Sequence, residues 1–139
     1  MRFAFALLLA ACDTGLGPAA PAPPPDASSL CLEAAAHDDF AWLEDNVFKG
    51  CSLASSCHGT RAAGGLDLRP GFAYASLVDH PAEGQAGTLR VAPFDPGASY
   101  LLSVLSENTP PDRRMPPGGI VCAEIRSAIE AWIARGAND

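Results

Sequence analysis

Apolar residues in the first third of the chain recur at the spacing of a helix. They follow one another at intervals of three or four residues, which places them on one face of an α-helix. Gly50 comes shortly after the last of them and suits the end of a helix, because glycine adopts the left-handed conformation there without strain. We therefore expect one amphipathic helix whose buried face carries Leu32, Ala36, Phe40, Leu43 and Val47.

A second stripe of apolar residues lies near the C-terminus. Glu124 lies at its start and Arg135 at its end, and both charges interact favourably with a helix dipole. Gly136 follows at the position where glycine commonly terminates a helix. The pattern predicts a helix whose buried face carries Ile125, Ala128, Ile129, Trp132 and Ile133.

Two shorter helices are expected between these segments. Tyr74, Leu77 and Val78 indicate the first of them. The apolar run 99–105 indicates the second, and the turn-forming residues 95–97, Asp-Pro-Gly, precede it. No segment alternates apolar and polar residues as a half-buried strand would. The sequence therefore predicts a small all-α domain with long connections that are rich in glycine and proline.

The N-terminus has the features of a bacterial export signal. Arg2 supplies a positive charge, and the apolar stretch 3–10 that follows is too short to span a membrane as a helix. The segment Leu9-Ala10-Ala11-Cys12 resembles the lipobox of bacterial lipoproteins. This resemblance implies that residues 1–11 are a cleaved signal peptide and that Cys12 receives lipid. Several acyl chains on one residue anchor a protein firmly. We therefore expect this protein in the cell envelope, lipid-anchored to a membrane and facing the periplasm or the exterior.

Proline and alanine dominate the segment that follows the lipobox. Five of the eighteen residues from 13 to 30 are proline and four are alanine. Proline blocks helix interiors, so residues 12–30 are predicted to form an extended tether that begins at the lipidated Cys12. The folded domain is then expected to span residues 31–139.

The chain is acidic. Its 139 residues include 9 basic and 16 acidic side chains, and the formal net charge of −7 becomes −8 once Arg2 is removed with the signal peptide. An acidic protein is repelled by the phosphate backbone, so we expect no binding to nucleic acid. A protein partner is expected to present a basic surface, because complementary charge favours encounter.

Six sequence features follow one another along the domain. The first helix precedes Cys57-His58-Gly59, and the segment 65–68, Gly-Leu-Asp-Leu, comes next. The Asp-Pro turn with its short helix, the segment Met115-Pro116-Pro117 and a final helix that ends in Trp-Ile-x-x-Gly-Ala complete the series. In this order they resemble the bacterial class I cytochrome c domain, in the form found in exported planctomycete and myxobacterial proteins. The resemblance covers about residues 40–137.

The resemblance implies a membrane-anchored electron carrier that binds one haem. Cys57 would form a thioether with a haem vinyl group, His58 would bind the iron from one face, and Met115 would bind it from the other. The thioether sulfur of methionine raises the reduction potential, because a soft donor favours ferrous iron. Apolar side chains would enclose the haem, among them Leu66, Leu68 and Leu101.

The same resemblance implies a redox protein as the partner and no catalysis of bond chemistry. Cys57 and His58 are adjacent residues and cannot easily form a nucleophile–base pair, and no third catalytic member is evident. We therefore expect the protein not to be an enzyme.

The chain departs from the family at the haem-attachment motif, which is C-x-x-C-H. The first cysteine of that motif would lie at position 54, which is Ala54. The expected cofactor is therefore haem c held by a single thioether. Cys51 lies six positions before Cys57, a spacing that we do not expect to suit two vinyl groups.

Four cysteines remain besides Cys12, and they allow three pairings. In the cytochrome c fold the first and last helices pack together, so the resemblance implies a bridge between Cys31 and Cys122. Cys51 and Cys57 would then form the second bridge, unless Cys57 holds haem. Two hypotheses stay open: an electron carrier with haem, and a haemless, disulfide-stapled lipoprotein that acts as a binding or structural module.

Overall fold

The computed structural model describes residues 27–139. Within this range the chain forms helices, turns and three isolated β-bridges, and it contains no strand. The predicted all-α class is therefore confirmed. No helix within residues 27–139 is long and apolar enough to cross a membrane. The α-helices are α1 (Ala27–Ala34), α2 (Phe40–Leu43), α3 (Lys49–Ser52), α4 (Ala73–Leu77), α5 (Tyr100–Val104) and α6 (Ala123–Ala134).

The N-terminal predictions lie mostly outside the described residues. The signal peptide 1–11, the lipidated Cys12 and the tether up to residue 26 belong to the part of the chain that the structure does not describe. The last four residues of the predicted tether are helical, because α1 begins at Ala27. Leu30, within this helical stretch, packs against the core.

The first predicted helix is broken in the structure. Helix α1 ends at Ala34, and Asp39 has an extended backbone, with φ −107° and ψ 145°. Its carboxylate accepts a hydrogen bond of 2.9 Å from the backbone N–H of Trp42, which caps a new helix. The break turns Leu32 and Ala36 away from the core, so the prediction that both lie on the buried face is wrong.

The second part of that helix continues beyond its predicted end. A π-helical segment, Glu44–Phe48, joins α2 to α3, and the helical path passes Gly50 and reaches Ser52. A π-helical turn contains one residue more than an α-helical turn. The extra residue shifts the buried face, so Phe48 is buried where the pattern predicted Val47, which is only half-buried.

Helix α6 confirms the C-terminal prediction. All five residues of its apolar stripe are buried, and Glu124 lies in its first turn. Arg135 lies just past the last turn and forms an ion pair of 2.8 Å with Asp38. Gly136 follows in the left-handed region with φ 104°, as expected of a glycine that terminates a helix.

The core forms where α2 and the π-helical segment pack on α6. The Trp132 ring lies 5.3 Å from that of Phe40 and 6.5 Å from that of Phe48, measured between centroids. The two short predicted helices are present as α4 and α5, and Asp95 caps the 3₁₀ turn Pro96–Ala98 that precedes α5. Helices α4 and α5 complete the apolar cluster through Leu77, Leu101 and Leu102.

A disulfide joins the first and last helices. Cys31 of α1 is bonded to Cys122 immediately before α6, with Cα atoms 6.2 Å apart and a sequence separation of 91. Helix α1 also packs against α6. The predicted bridge is confirmed. In the chain-entropy model, closing so long a loop stabilises the fold by about 4–5 kcal/mol.

Candidate functional site

A cleft of about 1080 Å³ lies between the helices and the long loops. Its walls are mostly apolar, and Leu66, Leu68 and Leu101 line it as expected of residues that enclose a cofactor. Phe48 and Ile125 add further apolar surface. This volume slightly exceeds the usual range for pockets that enclose a small molecule, about 300–1,000 Å³.

Backbone hydrogen bonds position the Cys57-His58 segment at the cleft. The backbone N–H of His58 donates to the carbonyl of Cys51 at 3.4 Å, and its carbonyl accepts from Leu68 at 2.7 Å. The N–H of Cys57 donates to the carbonyl of Ala54 at 3.0 Å. The segment is therefore held both to the end of α3 and to the downstream loop, and both of its residues line the cleft.

The imidazole of His58 is half-buried. Its Nδ1 atom is enclosed, and no hydrogen-bond partner for it lies among the described residues. A neutral imidazole that carries its proton on Nδ1 keeps the lone pair of Nε2 free to bind a metal. His58 can therefore act as a nitrogen ligand from the wall of the cleft.

Met115 reaches the same cleft from the loop between α5 and α6. Its backbone N–H donates to the carbonyl of Val104, at the end of α5, at 2.8 Å. Pro116 and Pro117 follow it, also line the cleft, and fix the backbone φ angles just after the thioether. The Met115–Pro116 peptide bond is cis.

The structure brings all three sequence-predicted site residues to one cleft. Cys57 and His58 come from the loop after α3, and Met115 comes from a loop far along the chain. A thiol, an imidazole and a thioether within apolar walls form the donor set that haem c requires. The residues present therefore fit a haem group in the chemistry of their side chains and in the volume that they surround.

Arg90 is a cleft residue that the sequence reasoning missed. It is buried and lines the cleft, where its guanidinium donates to the carbonyl of Ser76 at 2.7 Å and to that of Gly64 at 2.8 Å. Burial lowers the pKa of Arg90, and the charge of Glu83 opposes this effect. No carboxylate of the described residues lies within ion-pair distance of the guanidinium. Its only sequence signal is its position between the apolar residues Leu89 and Val91.

The two arginines before Met115 lie in different surroundings. Arg113 is exposed and lines the cleft. Arg114 is half-buried and donates to the carbonyl of Glu107 at 3.2 Å, and it does not line the cleft. Only Arg113 of this pair can therefore place positive charge at the cleft.

Cys51 and Cys57 are free thiols in the structure. The alternative bridge between them is not formed, although both residues line the cleft. Cys51 is exposed as a residue, but partial desolvation of its sulfur by the surrounding protein raises the pKa of the thiol, and the charge of Cys57 raises it further. The Cys51 thiol donates to the carbonyl of Val47 at 3.5 Å. Two reduced sulfurs are thus available at one side of the cleft.

Comparison with known proteins gave no relatives. No protein-family model matches the chain, and neither a curated protein nor a solved structure matches it.

Proposed function

We propose that the protein binds one haem in the cleft and carries electrons. The observation that supports this most directly is the meeting of Cys57, His58 and Met115 at one apolar cleft. Bound haem supplies one-electron redox chemistry at its iron. The fold that the residues support is the class I cytochrome c fold, and the proposed role is electron transfer to or from a redox protein.

Each residue has a chemical part in this proposal. Cys57 would bond the haem covalently, and His58 would ligate the iron through its free ring nitrogen. Met115 would ligate it with a soft sulfur that stabilises the reduced state. The apolar walls would lower the polarity around the iron, which also raises the potential, because a charged ferric centre is less stable in a low-dielectric site. Arg90 offers a buried positive charge to the haem carboxylates.

Lipid on Cys12 would hold this domain at a membrane of the cell envelope. The lipobox resemblance of residues 9–12 supports this part of the proposal. Replacement of Cys12 by alanine is expected to move the protein from the membrane fraction to the soluble fraction and to abolish labelling by a fatty-acid analogue. Labelling that persists in Cys12→Ala would contradict lipid attachment there.

Maturation in a host that attaches haem c tests the proposed function. The protein is expected to show a Soret band that persists after denaturation, because the haem is covalently bound. His58→Ala should abolish stable haem incorporation. Its matched control is His80→Ala, because His80 is exposed, contacts the Pro81 carbonyl and does not line the cleft.

Met115→Ala is expected to retain covalent haem and to lower the midpoint potential, measured by redox titration, because the soft sulfur ligand is lost. A mature protein that carries no haem contradicts the proposal. That result would favour the haemless binding or structural module, a role with which Ala54 at the usual cysteine position is compatible.

A further inference from the structure

The loop between Cys51 and Cys57 folds back on itself. Cys51 lies in α3, and the chain returns to the end of that helix within seven residues. Gly59 packs so closely there that a Cβ on it would lie 2.5 Å from the carbonyl oxygen of Ser52. The five residues that separate the two cysteines therefore do not separate them in space by the length of an extended chain.

One backbone hydrogen bond identifies the position that Cys51 occupies. In a helical turn, an N–H donates to the carbonyl four residues earlier. In a C-x-x-C-H segment with that geometry, the backbone N–H of the histidine would thus donate to the carbonyl of the first cysteine. Here the backbone N–H of His58 donates to the carbonyl of Cys51, at 3.4 Å, and not to that of Ala54. By its backbone contact Cys51 takes the place of the first cysteine, with three additional residues accommodated in the loop.

The chemical state of the two sulfurs agrees with this position. Both thiols are free, whereas Cys31 and Cys122 are bonded to each other. Both also line the cleft together with His58. Cys51 is thus a reduced sulfur on the same side of the cleft as the thiol and the imidazole already assigned to haem.

We propose that Cys51 forms a second thioether with the haem, so that the attachment motif of this chain has five residues between its cysteines. This inference rests on the proposed haem binding. In the reaction the S–H bond breaks, sulfur bonds to the vinyl carbon next to the ring, and hydrogen goes to the terminal carbon. The double bond becomes single, and no electrons are gained or lost. A bridge between Cys51 and Cys57 would consume the same two sulfurs and exclude this reaction.

Alkylation and mass spectrometry of the wild-type holoprotein test this proposal without any variant. The protein, matured with haem c, is denatured, treated with iodoacetamide and digested, with and without prior reduction. If Cys51 bears a thioether, it resists alkylation in both samples, and the haem-bearing peptide is linked at Cys51 and at Cys57. Alkylation of Cys51 without reduction shows a free thiol, and alkylation only after reduction shows a disulfide. Either result overturns the proposal.

Two variants provide an independent measurement. Cys51→Ser and Cys57→Ser are each expected to retain covalent haem through the remaining sulfur, and only the double variant should lose it. Each single variant should shift the α band of the pyridine haemochrome to longer wavelength, because one vinyl group stays unsaturated. Ser55→Ala is the matched control, because Ser55 lies in the same loop, is exposed and does not line the cleft.

These outcomes separate the inference from the function on which it rests. An unchanged α band in Cys51→Ser, with covalent haem in the wild type, overturns the second thioether and leaves the electron carrier standing. Wild-type protein without haem contradicts the proposed function itself, and the second thioether with it.

Discussion

Gly59 closes the loop that carries Cys57 and His58 because it has no side chain. A Cβ there would meet the Ser52 carbonyl oxygen at 2.5 Å and that of Ala54 at 3.3 Å. Both neighbours are backbone atoms, so neither can move without shifting α3 or the loop. The tight approach is what brings the two site residues back to the helix end.

Gly59→Ala is expected to lower the free energy of unfolding by about 1–3 kcal/mol, because an added methyl overpacks this contact. Denaturant unfolding of the haem-free protein measures the effect. The matched control is Gly50→Ala, which has no atom within 4 Å of the new Cβ and lies in α3. It should be neutral or stabilising by up to about 1 kcal/mol, because alanine favours the helix. Equal effects at both positions would contradict this account.

Asp39 makes the stability of the start of α2 depend on pH. The backbone N–H of Trp42 lowers the pKa of its carboxyl group, and His37 lowers it further. A carboxyl whose pKa is lower in the folded state stabilises the fold above its ordinary pKa, and this stabilisation is lost as the pH falls. Asp39→Ala should therefore cost about 1 kcal/mol at neutral pH.

Acid unfolding curves of the wild type, Asp39→Ala and Asp39→Asn test this cap. The deficit of Asp39→Ala should shrink as the pH is lowered through and below 3.8, the ordinary pKa of the group. Asn caps helices about as well as Asp and does not titrate, so Asp39→Asn should stay near the wild type at neutral pH. A deficit of Asp39→Ala that does not change with pH would contradict the role of the carboxylate charge.

The sequence indicated some residues of the candidate site and not others. Cys57, His58 and Met115 were recognisable because their chemistry is distinctive and each lies in a short motif. Arg90 was not, because its burial depends on carbonyls of Ser76 and Gly64, which come from other parts of the chain. Hydrogen bonds between residues so far apart in the chain leave no local pattern in the sequence.

At the scale of elements, periodicity predicted α6 well and the first helix poorly. All five apolar positions of α6 are buried, because that helix is regular from Ala123 to Ala134. The N-terminal pattern also had helical spacing, but a capping aspartate interrupts the helix and a π-helical turn shifts its register. A period counted along the sequence cannot reveal either event, because both depend on backbone hydrogen bonding that the spacing does not record.

The bridge between α1 and α6 is expected to be a main source of stability. Replacement of Cys31 and Cys122 by serine should lower the free energy of unfolding by about 4 kcal/mol, because the unfolded chain gains the freedom of a long open loop. Denaturant unfolding of the haem-free mature protein measures this loss of free energy. Cys51→Ser with Cys57→Ser is the matched control, since these thiols are not bridged. A control that loses about 2 kcal/mol would indicate that the second pair is bonded as well, because that bridge would close a much shorter loop.

At the scale of the whole molecule, the excess of acidic side chains affects how fast the protein meets charged redox partners. The formal net charge, −7 for the full chain and −8 without residues 1–11, attracts cations, and dissolved salt shortens the distance over which this attraction acts. At the cleft, Arg113 and Glu83 are both exposed, so one positive and one negative side chain flank its opening.

Electron transfer from the haem-loaded protein to small cationic and anionic oxidants should therefore depend on salt in opposite ways. The rate with hexaammineruthenium is expected to fall about tenfold as ionic strength rises from about 0.01 M to about 0.5 M, and the rate with ferricyanide should rise. Stopped-flow spectroscopy measures both rates. Arg113→Gln should increase the rate with the cation at low salt. Rates that do not change with salt for either reagent would contradict electrostatic steering.

The bond between Cys31 and Cys122 also determines how the molecule carries mechanical load. Tension applied at the two ends of the chain runs to Cys31, crosses the sulfur–sulfur bond and continues from Cys122. The disulfide closes residues 31–122 into a covalent ring, and within it residues 32–121 lie beside this path and bear no tension. The ring contains Cys57, His58 and Met115, so pulling on the ends loads α6 and the start of α1 and leaves the cleft residues unloaded. A single protease cut anywhere in the ring leaves the two pieces covalently joined.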